Sequence, residues 1–106
     1  MRISPEDRFW ELAAELQRND ARIREGTIMN GRCLRLGKEF LALVDHNGSG
    51  LVVKLPKERV AELIEAGAGR PFSPAGKIFK EWLAVPTADR RLWRELLREG
   101  IAFVGR

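Results

Sequence analysis

The chain has 106 residues, with 19 Lys+Arg against 15 Asp+Glu and a formal net charge of +4. An apolar share of 44% and a charged share of 32% describe a globular chain, long enough for one domain, expected over residues 1–106, with a core of its own. One Cys excludes a disulfide framework and a multi-cysteine zinc site, and no apolar run approaches the roughly 18 residues that a bilayer span needs.

Met1-Arg2-Ile3-Ser4-Pro5 lacks the apolar stretch of a secretion signal, so a cytoplasmic location is expected. Ser4-Pro5-Glu6-Asp7 reads as a helix start. Ser4 can cap, Pro5 suits a position that needs no N–H, and two acids complement the helix dipole. Phe9, Leu12, Ala13 and Leu16 follow at helical spacing with Trp10 beside them, and the helix should end near Asn19-Asp20.

From Gly26 to Leu55 the period becomes strand-like. Gly37-Lys38 has the Gly-X form of a two-residue type II′ hairpin. That turn would pair Leu36 with Glu39, Arg35 with Phe40, Leu34 with Leu41, and Cys33 with Ala42. Leu34, Leu36, Leu41 and Leu43 then form the core face. Cys33, Arg35, Phe40, Ala42 and Val44 take the other. Asp45 to Gly50 is turn chemistry, and an odd loop or bulge is needed to bring Leu51, Val53 and Leu55 to the core face instead of Lys54.

Pro56-Lys57-Glu58-Arg59 opens a second helix, with Val60, Leu63 and Ile64 inward and Gly67 as its stop. Residues 69–76 read as a connector, and 78–85 as a last strand with Ile78, Lys80, Trp82 and Ala84 on one face and Phe79, Glu81, Leu83 and Val85 on the other. Thr87 is the expected cap of a final helix whose stripe is Leu92, Trp93, Leu96, Leu97, Ile101 and Val104. The order α-β-β-β-α-β-α implies an α+β fold, an antiparallel sheet of about four to five strands with helices mainly on one face.

Met29-x-Gly31, Leu34, Gly37-Lys38-x-Phe40, Val53-Lys54-Leu55-Pro56-x-x-Arg59, Gly67, Phe72 and Lys80-Glu81-Trp82 together resemble the TfoX N-terminal domain family, in its short single-domain bacterial members. The likeness covers roughly residues 26–104, and that family looks related to the YjbR/MmcQ-like α+β proteins. It implies an α+β fold and a regulatory or DNA-linked role of the kind that names the family, in natural competence. Two departures stand out. The family's Met-Phe-Gly is Met29-Asn30-Gly31 here, and with Arg106 as the last residue no C-terminal helix-hairpin-helix-like domain is expected.

Catalytic chemistry finds little support. Cys33 and His46 are the only thiol and imidazole, and four residues of strand at about 3.3 Å each separate His46 from the position opposite Cys33, roughly 13 Å. No Walker loop, dinucleotide fingerprint, metal cluster or cofactor motif is present, and we expect neither an enzyme nor a bound cofactor or small-molecule substrate.

Two surfaces could bind. Arg90, Arg94 and Arg98 recur along one side of the last helix, a secondary basic face diluted by Glu95 and Glu99. Three phosphate contacts would give a salt slope of only about −2.7 in log units. The sheet face opposite the helices is expected to present Phe40 and Trp82 bordered by Arg35, Lys54 and Lys80, apolar enough to need a cover. Its cover would be a second copy or protein partner, a single-stranded nucleic acid stacking on the aromatics, or the N-terminal helix folded over it. A cytoplasmic regulatory homodimer is the reading adopted, with weak, non-sequence-specific nucleic-acid binding as the alternative.

Overall fold

The computed structural model describes residues 4–28, 31–45, 50–73, 76–87 and 89–105. In chain order these form α1 (Pro5–Asn19), β1 (Ile23–Ile28), β2 (Gly31–Leu36), β3 (Glu39–Asp45), β4 (Gly50–Lys54), α2 (Lys57–Glu65), β5 (Arg70–Phe72), β6 (Phe79–Val85) and α3 (Arg90–Val104). The fold is α+β. All six strands join one antiparallel sheet in the order β1-β2-β3-β4-β6-β5, more than the four to five expected, because two strands were not marked out by the chain pattern. The additions are β1, whose six residues carry Arg24, Glu25 and Gly26, and β5, three residues around Pro71 within the expected connector.

Local chemistry sets the helix ends. Ser4 Oγ accepts from the Asp7 N–H at 3.1 Å, with Pro5 in the first turn. Gly67, at φ 78°, follows α2 in the left-handed conformation that glycine adopts without strain. The cap of α3 is Asp89, not Thr87: the Asp89 carboxylate accepts from the Leu92 N–H at 3.1 Å. Thr87 instead offers its carbonyl to the Trp93 indole N–H at 2.8 Å.

All three helices lie on one face. Phe9, Leu12, Ala13 and Leu16 of α1, Val60 and Leu63 of α2, and Trp93, Leu96 and Leu97 of α3 bury against Leu34, Leu36, Leu41, Leu51, Val53, Leu83 and Val85 of the sheet. Gly100 lets α3 approach closely, because a Cβ there would stand 3.0 Å from the Lys54 carbonyl oxygen and 3.1 Å from Leu41 Cδ1.

The hairpin at Gly37 (φ 62°) pairs Leu36 with Glu39 and Arg35 with Phe40, as expected, but then slips. Leu34 pairs with Ala42, leaving Leu41 as an extra residue in a β-bulge. Leu41 and Ala42 both join the helix-side core, so Val44 follows them there and Leu43 turns to the opposite face. This reverses the expected sides of Ala42, Leu43 and Val44. The same bulge supplies the change of parity needed downstream. Asp45 pairs with Gly50 and Val44 with Leu51, and Leu51, Val53 and Leu55 reach the core. His46 and the rest of 46–49 lie outside the described residues.

The turn between α1 and β1 is held by Asp20, whose Oδ1 accepts from the backbone N–H and Nε of Arg22 at 3.0 Å each, while Oδ2 accepts from Nη2 at 2.7 Å. The guanidinium bonds first, then the backbone bond, lower the Asp20 carboxyl from 3.8 to about 2. A carboxyl lowered by folding stabilises the folded state above its ordinary value and loses that contribution as pH falls through about 2. An NMR titration of the folded protein should place the Asp20 midpoint at about 2, and Arg22→Ala should move it towards 3.8. An unmoved midpoint would dismiss the guanidinium as the cause.

Candidate functional site

The sheet face opposite the helices carries the aromatic residues expected there, and the sheet covers them itself. Phe40 of β3 and Trp82 of β6 stack across the intervening β4, their ring centroids 4.3 Å apart and their planes 23° apart. Phe79 continues the stack 4.8 Å from Trp82, and Phe72 lies 5.6 Å from Trp82. Beneath them Cys33, Val52 and Ala84 are buried, Leu43 is 8% exposed and Phe40 only 7%. The half-apolar face expected to stand in water is therefore largely filled by its own rings, Phe40 and Phe72 buried and Phe79 and Trp82 half-buried. The cover is not α1, which packs on the opposite face. Rings stacked on one another leave only the part-exposed Phe79 and Trp82 for bases to stack on. Phe79 reaches this cluster, rather than the face of Leu83, because β6 is irregular: Phe72 pairs with Phe79 while Pro71 pairs with Leu83.

Two of the cations expected to border the aromatics do so, since Arg35 pairs with Phe40 and Lys54 with Trp82 on neighbouring strands and antiparallel partners share a side of the sheet. Arg35 lies flat over Gly26, where a Cβ would come within 2.7 Å of its Cδ and Nε. Its guanidinium donates to the carbonyls of Lys38 and Thr27, each at 3.0 Å, so it is engaged by the backbone. Lys54, half-buried, pairs with Trp82 in the strand register. Lys80 lines a groove under α2. On α3, Arg94 and Arg90 both reach Glu15 of α1, at 2.9 and 3.6 Å, so the basic helix face mainly clasps α1, and Arg98 alone of the three has no ion pair among the described residues.

Open apolar surface occurs elsewhere. Val60, Ala61 and Ile64 of α2 face Pro71, Ile78 and Phe79 across a groove of about 390 Å³. Ile78, 59% exposed, is the exposed large hydrophobe among the described residues. Lys57, Glu58 and Lys80 complete the lining, and Lys77 Nζ stands 5.8 Å from the Phe79 ring centroid. None of Lys57, Lys77 and Lys80 has an ion pair among the described residues. Arg59, by contrast, is tied to Glu99 at 2.8 Å and Glu62 at 3.1 Å, which holds its guanidinium above the ordinary value. The periodicity of α2 fills its buried stripe but says nothing about what faces Ala61, so the groove is a product of tertiary contact. The signals for it in the chain were Ile78 between two lysines and an alanine amid exposed acids.

Cys33 is fully buried, and burial pushes its thiol above the ordinary value. Among the described residues no group of three or more His, Cys, Asp or Glu converges as a metal site. No helix among them is long and apolar enough to cross a membrane. No family model, curated protein or solved structure matches this chain. The groove therefore stands on its own geometry.

Proposed function

We propose that the chain is a small cytoplasmic regulatory module that acts by binding a protein in the groove between α2 and the β5–β6 hairpin. One observation carries this reading: apolar surface is left open at Ile78 and Ala61 and in part at Ile64, while the aromatic face is largely filled by its own rings. An exposed branched side chain beside an apolar groove favours burial against a partner, at roughly 25 cal/mol per Å² of apolar area removed from water. The regulatory part comes from the resemblance to the TfoX N-terminal family, of whose motif residues Lys80 lines this groove. Weak nucleic-acid binding is disfavoured by the backbone carbonyls that occupy the Arg35 guanidinium, by the place of Lys80 at the groove and by the engagement of Arg90 and Arg94 with Glu15.

A photoreactive side chain placed at Ile78 should give one discrete covalent protein adduct in cells. The same group at Arg24, on the strand at the other end of the sheet, should give none. Ala61→Arg, which fills the groove, should abolish the adduct. Equal labelling from both positions, or none from Ile78, would defeat the reading.

A further inference from the structure

We propose that the groove's partner is a second copy of this chain, docked about a two-fold axis with each Ile78 entering the other copy's groove. This rests on the groove being a protein-binding surface and names what fills it. In a two-fold interface the same patch meets itself, so every feature on it must find its complement on that same patch. This patch meets that condition twice.

The first complement is of shape. Ile78 stands 59% exposed beside the groove that Ala61 leaves shallow, a knob next to a hole. The groove is part-open, whereas sites for small ligands enclose most of the ligand's surface. A part-open groove with its own projecting side chain suits a polypeptide surface.

The second complement is of charge. Glu58, Glu62 and Glu65 stand exposed with Ala61 at helical spacing, forming an acidic stripe on the outer side of α2. Lys77 and Lys80 flank Ile78 on the hairpin, and neither has an ion pair among the described residues. Lys57 stands among these glutamates and Arg59 pairs with Glu62, so the α2 wall is mixed but net acidic, against a net basic hairpin wall. A two-fold rotation lays each basic hairpin against the partner's acidic stripe, and does so twice per dimer. Complementary walls of this kind steer docking and fix orientation, while like charges brought together oppose it.

The test uses two full-length variants and sedimentation equilibrium. The unaltered chain should rise from 12.0 kDa towards twice that mass with increasing concentration. Lys77→Glu combined with Lys80→Glu makes both walls acidic, and Glu58→Lys combined with Glu65→Lys makes both basic. Each variant alone should weaken self-association by on the order of 100-fold, because like charges now meet in both halves of the interface. Mixed in equal amounts, the two should pair again, since each acidic wall then meets a basic one. All four positions are exposed, so unchanged far-UV circular dichroism is expected for both.

A constant 12.0 kDa mass up to ~1 mM would overturn self-pairing. A dimer indifferent to both variants would overturn the assignment of the face, and so would a mixture that fails to re-pair. A monomer that still gives an adduct from Ile78 to a different protein would leave the interaction-module reading standing without this one. Failure of both would remove the groove from consideration.

Discussion

Trp93→Ala should lower stability by about 3–5 kcal/mol, the usual range for removing a buried large aromatic. Trp93 is fully buried on α3, in the cluster that joins all three helices to the sheet. Its indole N–H also donates to the Thr87 carbonyl at 2.8 Å, tying the start of α3 to the chain leaving β6. Against a typical total of about 5–15 kcal/mol, the loss takes a large fraction of the folded state's margin. At roughly 4–8 °C per kcal/mol, the thermal midpoint should fall by about 12 °C or more. Trp93→Phe keeps most of the ring volume and gives up the hydrogen bond to an exposed residue, so it should cost about 1–2 kcal/mol. Chemical denaturation of the three proteins checks both figures. A loss below about 1 kcal/mol for the alanine variant would mean the cluster is not the common core described.

Gly50→Ala is the second large effect expected. Gly50 opens β4 at φ 69°, and a Cβ there would stand 2.3 Å from the Val85 carbonyl oxygen and 2.8 Å from Pro86 Cα. Both are backbone atoms at the end of β6 and cannot rotate away as a side-chain tip would. Relief requires β4 and β6 to part where Leu51 pairs with Val85. We expect a loss of about 3 kcal/mol or more, combining left-handed strain with the clash. Gly37→Ala is the matched control. Gly37 sits at φ 62° with nothing within 4 Å of its notional Cβ, so it bears the conformational cost alone, about 1–2 kcal/mol. The difference between the two variants measures the close approach. Equal losses would show that φ alone accounts for Gly50.

Features decided by adjacent residues were readable from the chain. Ser4 and Pro5 start α1 and Gly37 turns the first recognised hairpin because those choices act over three or four residues. Thr87 and Asp89 are both competent caps two residues apart, and the geometry of the incoming chain selects the second. The bulge at Leu41 was not readable for a different reason. Phe40-Leu41-Ala42-Leu43-Val44 is apolar at every position, so either alternation buries an acceptable set, and the sheet's two buried faces remove the usual penalty for slipping. β1 and β5 escaped notice because exposed charges, Gly26 and Pro71 mask their strand character.

For the candidate site, alternation correctly put Arg35, Phe40 and Trp82 on one side of the sheet, since Arg35 and Phe40 pair on the turn side of the bulge and Trp82 pairs in step with Lys54. Their closure on one another was invisible, because it depends on side chains from β3, β5 and β6 meeting across β4. The groove was hidden for the same reason. Ala61 and Ile78 are unremarkable separately and acquire meaning only once α2 packs beside the β5–β6 hairpin.

Arg35 has a consequence beyond its place over Gly26. β1 is the longer of the two outer strands, six residues without a proline, and such a border is a template on which stray chains add and grow into aggregates. By taking the Thr27 carbonyl and spreading a cation over the strand, Arg35 removes one attachment point and charges the surroundings of the rest. The other border, β5, is three residues long with Pro71 at its centre. Both margins of the sheet are thereby made poor seeds, which matters most while a newly made chain is still short of its helices and every strand lies open to its neighbours.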